Sequence, residues 1–273
     1  MEKKPVLINV LILIACIFTL FYPYYRVSFE WFLRIFIYAL GIVFLGVSTV
    51  LLVRRGAEYL SSFLFFDILF FFYPYIEWQK TTLPLTFSGI LYVVPVMVYL
   101  TLALSIKRIR KSVTWLRAGH IDGGSLLIIA AVVVLSSLGL VGWVLFAKPD
   151  LGIFLDMIPN LPFGLMVLGS LGFALSNAFI EELMFRGVLW QVLNGFFYRN
   201  LVAILLQAIL FGLWHWKGFP GGPSGMVLVF VWGIFLGWIR RRSGGMLGPF
   251  ICHGCADLAI FWILYTILLR GNW

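Results

Sequence analysis

Long apolar runs separated by short polar connections make up most of this chain. The runs cover residues 5–22, 31–53, 59–75, 83–105, 125–146, 162–197, 201–216, 224–239 and 246–269. A membrane-spanning helix needs about 20 apolar residues, and most of the runs are close to that length. The pattern predicts an all-α fold, a polytopic transmembrane helix bundle with about eight or nine spans. Eight spans are expected if the Phe-rich third run is re-entrant.

The sixth run is too long for an upright span of about 20 residues. We expect its helix to tilt, to break near Gly169 or Gly172, or to extend beyond the bilayer. The first run resembles a secretory signal. However, the residues after it are bulky, and no cleavage site made of small residues follows. We therefore interpret it as a retained first span.

Composition supports the membrane assignment. Of the 273 residues, 62% are hydrophobic and only 11% are charged, which excludes an ordinary soluble globular protein. Aromatic residues make up 18%, as expected where rings line both membrane interfaces. The cysteines, Cys16, Cys252 and Cys255, lie within apolar runs, so no disulfide framework is predicted.

The net charge of +9 comes from clusters of Lys and Arg in the connections between runs. These clusters are Lys3–Lys4, Arg54–Arg55, residues 107–117, Arg199 and Arg240–Arg242. All fall on one side of the bundle, so the positive-inside rule predicts a multi-pass cell-membrane protein with a cytoplasmic N-terminus. The expected partners are membrane lipid and a membrane-proximal peptide or protein substrate, and no nucleic acid.

The longest polar connection ends near Gly124 and divides the chain in two. It predicts an N-terminal four-span accessory region at 1–124 and a functional core at 125–273.

Three charged residues interrupt the sixth run: Glu181, Glu182 and Arg186. Charges at membrane depth are costly and usually face a cavity or a partner. Glu182 and Arg186 are four apart on one helix face, so we expect them to neutralise each other. Glu181 is rotated by about 100° from Glu182 and remains free for chemistry.

Two later runs carry polar side chains that can meet Glu181. His215 lies four residues after Phe211, and His253 lies four residues before Asp257, so each pair shares a helix face. Counted from the basic helix ends, Glu181 and the two histidines lie at depths of about 12–24 Å, within the hydrocarbon slab. Asn177, one turn before Glu181, extends a polar face towards the same interior.

This set of side chains favours attack by water on an amide. Glu181, as a base in a low-dielectric pocket, and His215 together position and deprotonate a water. His253 donates a hydrogen bond to the oxyanion that forms. No serine or cysteine has an evident base partner, because Ser176 adjoins no histidine in sequence.

Three motifs carry a family resemblance: Glu-Glu-x-x-x-Arg at 181–186, Phe-x-x-x-His at 211–215 and His-x-x-x-Asp at 253–257. In this order and spacing they resemble the CAAX-protease-and-bacteriocin-processing (CPBP) family, over residues 161–265. The resemblance implies a CAAX-type intramembrane endopeptidase with a CPBP-type protease core at 125–273. The first four spans carry no family motif.

The resemblance also implies roles for individual residues. Glu181 activates water with His215, His253 and residue 257 form the oxyanion site, and Glu182 and Arg186 support the pocket. The eukaryotic enzymes carry Asn where this chain has Asp257. An ionised Asp cannot donate to an oxyanion, so Asp257 is either protonated or orients His253.

Other functions remain open from the sequence. No cofactor is expected, but a zinc metalloprotease could use Glu181, His215, His253 and Asp257 as ligands, although His-Glu-x-x-His is absent. A transporter or proton relay also uses buried Glu, His and Asp, although such proteins usually show paired halves. A non-catalytic scaffold or bacteriocin-immunity membrane protein is the last alternative.

Two further features have simple structural interpretations. Cys252-x-x-Cys255 is interpreted as helix packing. Arg34 and Asp67, in the second and third runs, are expected to bond to each other.

Overall fold

The computed structural model describes residues 13–15, 17–22, 30–55, 60–76, 92–196 and 200–270. Within these ranges the apolar segments are helical and no β-strand occurs, which confirms the all-α bundle. Half of the first predicted span, Lys3, Lys4, Cys16, Arg199 and the start of the fourth span lie outside the described residues.

Nine helices longer than six residues organise the described chain from residue 31 onwards. In order they are α1 (Trp31–Arg55), α2 (Leu60–Phe71), α3 (Val93–Ser105), α4 (Gly123–Ala147), α5 (Phe163–Glu182), α6 (Trp190–Phe196), α7 (Asn200–Trp214), α8 (Gly222–Ser243) and α9 (Leu247–Arg270). Single helical turns lie at Lys107–Arg110 and Gly152–Asp156, and a 3₁₀ turn at His215–Lys217 extends α7.

Five helical segments are long and apolar enough to cross a membrane. They are Trp31–Leu51, Gly123–Ala147, Phe163–Asn194, Gly222–Ser243 and Leu247–Arg270. Shorter apolar helices lie at Leu13–Tyr22, Leu60–Phe71, Val93–Ser105 and Leu201–Lys217. The protein is therefore a multi-pass membrane protein that combines long spans with shorter apolar helices.

The helix formed by the long sixth run is irregular, but not at its glycines. The helix continues through Gly169 and Gly172 without a break. Instead, a seven-residue π-helix at Leu183–Leu189 joins α5 to α6. Of the three expected possibilities, the break near the glycines therefore does not occur. Such π segments are rare and often occur at functional sites.

The N-terminal helices share a hydrophobic core with the helices that carry the acidic motif. One cluster of buried side chains includes Phe66 of α2, Tyr99 of α3 and Phe185 of the π-helix. Gln191 donates a 2.7 Å hydrogen bond to the Ser112 carbonyl, and Ser62 donates to the Val188 carbonyl at 3.5 Å. The division predicted at residue 124 therefore does not coincide with a gap in the packing.

Asp67 has a different partner from the one expected. Its carboxylate accepts a hydrogen bond from the Thr49 hydroxyl on α1, rather than from Arg34. Thr49 lies on the face of α1 that packs against α2, which places a short hydroxyl next to the carboxylate. The pair joins α1 to α2 and lies apart from the motif residues.

Helices α7 and α8 approach closely at Gly212. A methyl group added there would lie 2.8 Å from the main-chain oxygen of Met226 and 3.0 Å from Phe230. Gly169 on α5 has no such neighbour within 4 Å. We expect Gly212→Ala to destabilise the protein by about 1–3 kcal/mol, because the backbone contact has no room for a methyl group. Thermal unfolding in detergent measures the effect.

The matched control is Gly169→Ala, which adds the same methyl group to open space on a helix. It should be neutral or slightly stabilising, because Ala is the better helix former by about 1 kcal/mol. Equal effects of the two substitutions would contradict the close approach of α7 and α8.

Candidate active site

The ionisable side chains of the three motifs meet at one place in the bundle. Glu181 lies near the end of α5, His215 in the 3₁₀ turn after α7, and His253 in the second turn of α9. The Glu181 Oε2 atom is 3.6 Å from His253 Nε2 and 3.9 Å from His215 Nε2. The carboxylate therefore faces both imidazoles, at distances too long for direct hydrogen bonds.

Glu182 lies at the centre of a buried charge cluster. Its Oε1 atom is 2.9 Å from a terminal nitrogen of Arg186 and 2.7 Å from His253 Nδ1. Both Glu182 and Arg186 are 1% exposed or less, so neither charge is solvated. The expected pairing of Glu182 with Arg186 is present, and the contact with His253 was not anticipated.

The ring nitrogens of His215 have distinct roles. His215 Nδ1 is 2.9 Å from the Phe211 carbonyl, which can only accept, so Nδ1 carries the proton and donates. In the neutral imidazole, Nε2 is then an acceptor directed at Glu181. Two acceptors thus face each other 3.9 Å apart.

The hydrogen bonds of His253 restrict its charge state in a different way. Glu182 Oε1 already accepts from Arg186, so His253 Nδ1 must donate to it. The Nε2 atom, 3.8 Å from Asp257 Oδ1, carries a proton only when the ring is a cation. Three carboxylates within 4 Å of the ring favour that cation.

Asn177 lies between the two carboxylates that face the cavity. Its amide nitrogen is 3.4 Å from Glu181 Oε1 and 3.3 Å from Asp257 Oδ2. The side chain can donate one hydrogen to each carboxylate, so it links α5 to α9. The sequence placed Asn177 on this face but did not indicate the contact with Asp257.

Aromatic rings enclose the charged groups. The Arg186 guanidinium lies 4.2 Å from the centre of the Phe211 ring, a cation–π contact, and the His215 ring meets Phe211 edge-on at 4.7 Å. Trp232 of α8 contacts His253 edge-on at 4.8 Å. Phe211 was expected to line the site, whereas Trp232 was not recognised from the sequence.

Arg240 is a further contributor that the sequence analysis assigned only to topology. It is buried, and its Nε donates to the main-chain oxygen of Arg186 at 3.1 Å. A terminal nitrogen donates to the Trp115 carbonyl at 3.4 Å. Arg240 shares a helix face with Gly233 and Gly237, which pack against α7, so its orientation follows from how the two helices pack.

The start of α9 is fixed by main-chain hydrogen bonds to the connection before α4. Met246 donates to the Arg117 carbonyl at 2.7 Å, and Leu247 donates to the Ala118 carbonyl at 3.1 Å. His120 donates to the Ser243 carbonyl at 2.8 Å. These bonds hold the first turn of the helix that carries His253 and Asp257.

A cavity of about 660 Å³ reaches these side chains. Asn177, Glu181, His215, His253 and Asp257 form its polar part. Most of the remaining wall is aliphatic or aromatic. An apolar pocket in which a few polar groups converge is the usual form of a ligand or active site. Glu182 and Arg186 are behind this wall and do not line the cavity.

The structure gives little support to a metal centre built from the same residues. Within the described ranges, no group of three or more His, Cys, Asp or Glu side chains is arranged to hold a metal ion. Cys252 is buried, with its sulfur 3.9 Å from the Ile129 carbonyl of α4. Cys252 therefore packs between helices, as the sequence interpretation proposed.

Comparison with known families agrees with the motifs. Residues 162–259 match the family described as type II CAAX prenyl endopeptidase Rce1-like. Over this segment, which is less than half of the chain, the protein is similar to that CAAX-protease family. The match begins just before α5 and ends in the middle of α9, so it includes every motif residue. No curated protein and no solved structure matches the chain. In general terms, the family points to a CAAX-type endopeptidase, a hydrolase.

The buried cluster yields a test of stability. Replacing Arg186 by Met keeps the length of the side chain but leaves Glu182 without its cation. We expect the free energy of unfolding to fall by about 3–5 kcal/mol, since removing one partner of a buried ion pair leaves an uncompensated charge. Thermal unfolding in detergent measures this change. The double variant Glu182→Gln/Arg186→Met should lose less stability than Arg186→Met alone.

The control is Arg241→Met, which removes an exposed arginine from the end of α8. It should change the stability by no more than about 0.5 kcal/mol. If Arg186→Met is as stable as Arg241→Met, the buried pair does not hold the site together.

Proposed function

We propose that this protein is an intramembrane endopeptidase of the CPBP type that hydrolyses a peptide bond near the membrane with an activated water. The observation that carries the proposal is the Glu181 carboxylate facing two imidazoles at the wall of a largely apolar cavity. Similarity to the family supports the reaction class, and the geometry supports the roles of the residues.

Water activation rests on Glu181 and His215. Because the Glu181 carboxylate and His215 Nε2 are both acceptors, the group that joins them must donate two hydrogen bonds, as a water does. At 3.9 Å the atoms are slightly too close for an ideal bridge, and widening by less than about 1 Å gives two bonds of normal length. Glu181 takes a proton as the water oxygen attacks the amide carbon.

Stabilisation of the oxyanion rests on His253. When the ring is a cation, Nδ1–H donates to Glu182, and Nε2–H can donate to the substrate oxygen as negative charge develops there. Asp257, 3.8 Å from Nε2, favours the cation and orients the ring. In this proposal Asp257 does not itself need a proton to contribute.

The tetrahedral intermediate then collapses. The carbon–nitrogen bond breaks, and the proton held by Glu181 passes to the leaving amine. The products are a carboxylic acid and an amine, and Glu181 is ionised again, so atoms and charge balance without a covalent enzyme intermediate. The geometry of Ser176 supports water over serine as the nucleophile. Its hydroxyl donates to the Gly172 and Phe173 carbonyls within its own helix and has no base beside it.

In this proposal the bundle lies in the cell membrane and its N-terminus is in the cytoplasm, as the positive-inside rule predicts from the basic clusters. Membrane lipid surrounds the spans, and the substrate is a peptide or protein segment that reaches the cavity at the membrane.

The catalytic roles are tested with Glu181→Gln and His215→Gln, which keep the shapes of the side chains. Each should lower cleavage by about 10²–10⁴-fold, since each removes a group that acts on the water. The substrate is found by comparing protein termini in membranes from cells with the parent chain and cells with Glu181→Gln, in which precursor termini should accumulate. Both variants should fold as the parent does.

The matched control is Ser176→Ala, a polar residue of the same helix outside the proposed mechanism. It should cleave as the parent does. If Glu181→Gln and His215→Gln retain normal cleavage, the water-activating roles are wrong. If Ser176→Ala is inactive, a serine mechanism replaces them.

The role of Asp257 is tested by two substitutions of similar size. Asp257→Asn keeps a polar group beside His253 and supplies an amide donor to the cavity, so cleavage should fall by less than about tenfold. Asp257→Leu removes both the polar group and the hydrogen-bond donor, so cleavage should fall by about 10²-fold or more. Steady-state kinetics on the identified substrate should show the loss in kcat rather than in KM. Equal activity of the two variants would contradict an electrostatic role for Asp257.

A further inference from the structure

Basic side chains collect on one face of the described bundle. They are Arg54 at the end of α1, Lys107, Arg108, Arg110, Lys111 and Arg117 after α3, and Arg241 and Arg242 at the end of α8. We call this the basic face. Its parts are in contact, because Arg108 donates to the Val53 carbonyl, and Arg242 lies 3.6 Å from Asp122 at the start of α4.

The opposite ends of the helices carry fewer cations, mixed with acids. The described side chains there are Arg34, Lys148, Lys217 and Arg270, with Glu30, Asp150 and Asp156. The two ends of the bundle are therefore electrostatically unequal, and the positive-inside rule assigns the basic face to the cytoplasm.

The cavity lies at the middle of the long helices and continues towards their ends away from the basic face, and no described residue of the basic connections lines it. On α9, which begins at that face, the lining starts at His253 and extends to Leu264. On α8, which ends at that face, the lining runs from Leu228 to Phe235 and stops before Arg240. On α4, which begins beside the basic face, it runs from Val132 to Leu140.

Five further lining residues, from Phe173 to Met184, lie on α5 and the π-helix, and the others lie at the non-basic ends. Tyr73 follows α2 and Tyr92 precedes α3, on the side where neither helix meets a basic cluster. Phe154 and Ile158 come from the segment between α4 and α5, and Lys217 and Phe219 from the segment between α7 and α8. These two connecting segments meet where the Phe154 and Phe219 rings pack at 5.3 Å. Lys217, beside them, is exposed.

We propose that the active-site cavity opens on the membrane face opposite the basic face, which is the outer face of the cell membrane. The substrate is then an uncharged, largely apolar peptide segment presented from that side, because the wall beyond the polar groups is aliphatic and aromatic. The identity of the occupant as a peptide rests on the proposed function, whereas the direction of the opening does not.

The test is labelling of single introduced cysteines with a membrane-impermeant sulfonated maleimide. Lys217→Cys places a thiol at the proposed mouth, and Thr114→Cys places one in the exposed connection at the basic face. Neither residue belongs to the proposed catalytic machinery. The parent chain, with buried Cys252 and half-buried Cys255, gives the background.

We expect Lys217→Cys to be labelled in intact cells, and Thr114→Cys to be labelled only after permeabilisation. Labelling of Lys217→Cys should also slow cleavage of the substrate by that variant, because the adduct obstructs the mouth. If Lys217→Cys is labelled only after permeabilisation, the proposal is overturned. If its adduct leaves cleavage unchanged, the opening lies elsewhere.

The same labelling of Lys217→Cys in the Glu181→Gln background separates this inference from the proposed function. The pattern should be identical there, since it depends on orientation and access and not on catalysis. If the parent chain shows no cleavage activity but Lys217→Cys is still labelled from outside, the direction of the opening is supported and only the proposed peptidase activity is contradicted.

Discussion

The shared carboxylate oxygen of Glu182 is the interaction on which the site depends. It accepts hydrogen bonds from Arg186 on the π-helix and from His253 on α9, inside a bundle where none of these groups is solvated. In so low a dielectric an unpaired charge is costly, so the three groups restrain one another's positions. Glu181, the preceding residue, is thereby turned towards the cavity and the two imidazoles. Glu182 thus holds the structure together, while the adjacent Glu181 is positioned for chemistry.

The parts that surround this interaction come from distant segments of the chain. Arg240 at the end of α8 binds the main chain at Arg186, and the connection before α4 binds the first turn of α9. The N-terminal helices cover the π-helix, where Gly187 lies against the Trp115 ring. A methyl group at Gly187 would come within 3.0 Å of that ring. The N-terminal region therefore contributes to the packing beneath the site, even though it lies outside the family match.

Much of the site could be predicted from the sequence because charged residues in apolar runs are rare and their helical spacing assigns them to faces. The pairing of Glu182 with Arg186 and the edge-on contact of Phe211 with His215 follow from a separation of four residues. The contact of Glu182 with His253, the role of Arg240 and the partner of Asp67 could not be predicted in this way, because each depends on how separate helices pack. The π-helix was missed for a similar reason, since its stabilising contacts come from Arg240 and Trp115 and not from local propensity.

The central claim is that Glu181 and His215 hold a water between them, and a high-resolution structure of the protein in lipid tests it most directly. The account predicts an ordered water within hydrogen-bonding distance of the Glu181 carboxylate and of His215 Nε2, with Glu182 bonded to Arg186 and His253. A structure in which Glu181 is bonded to Arg186, or turned away from both imidazoles with no water between, would contradict it.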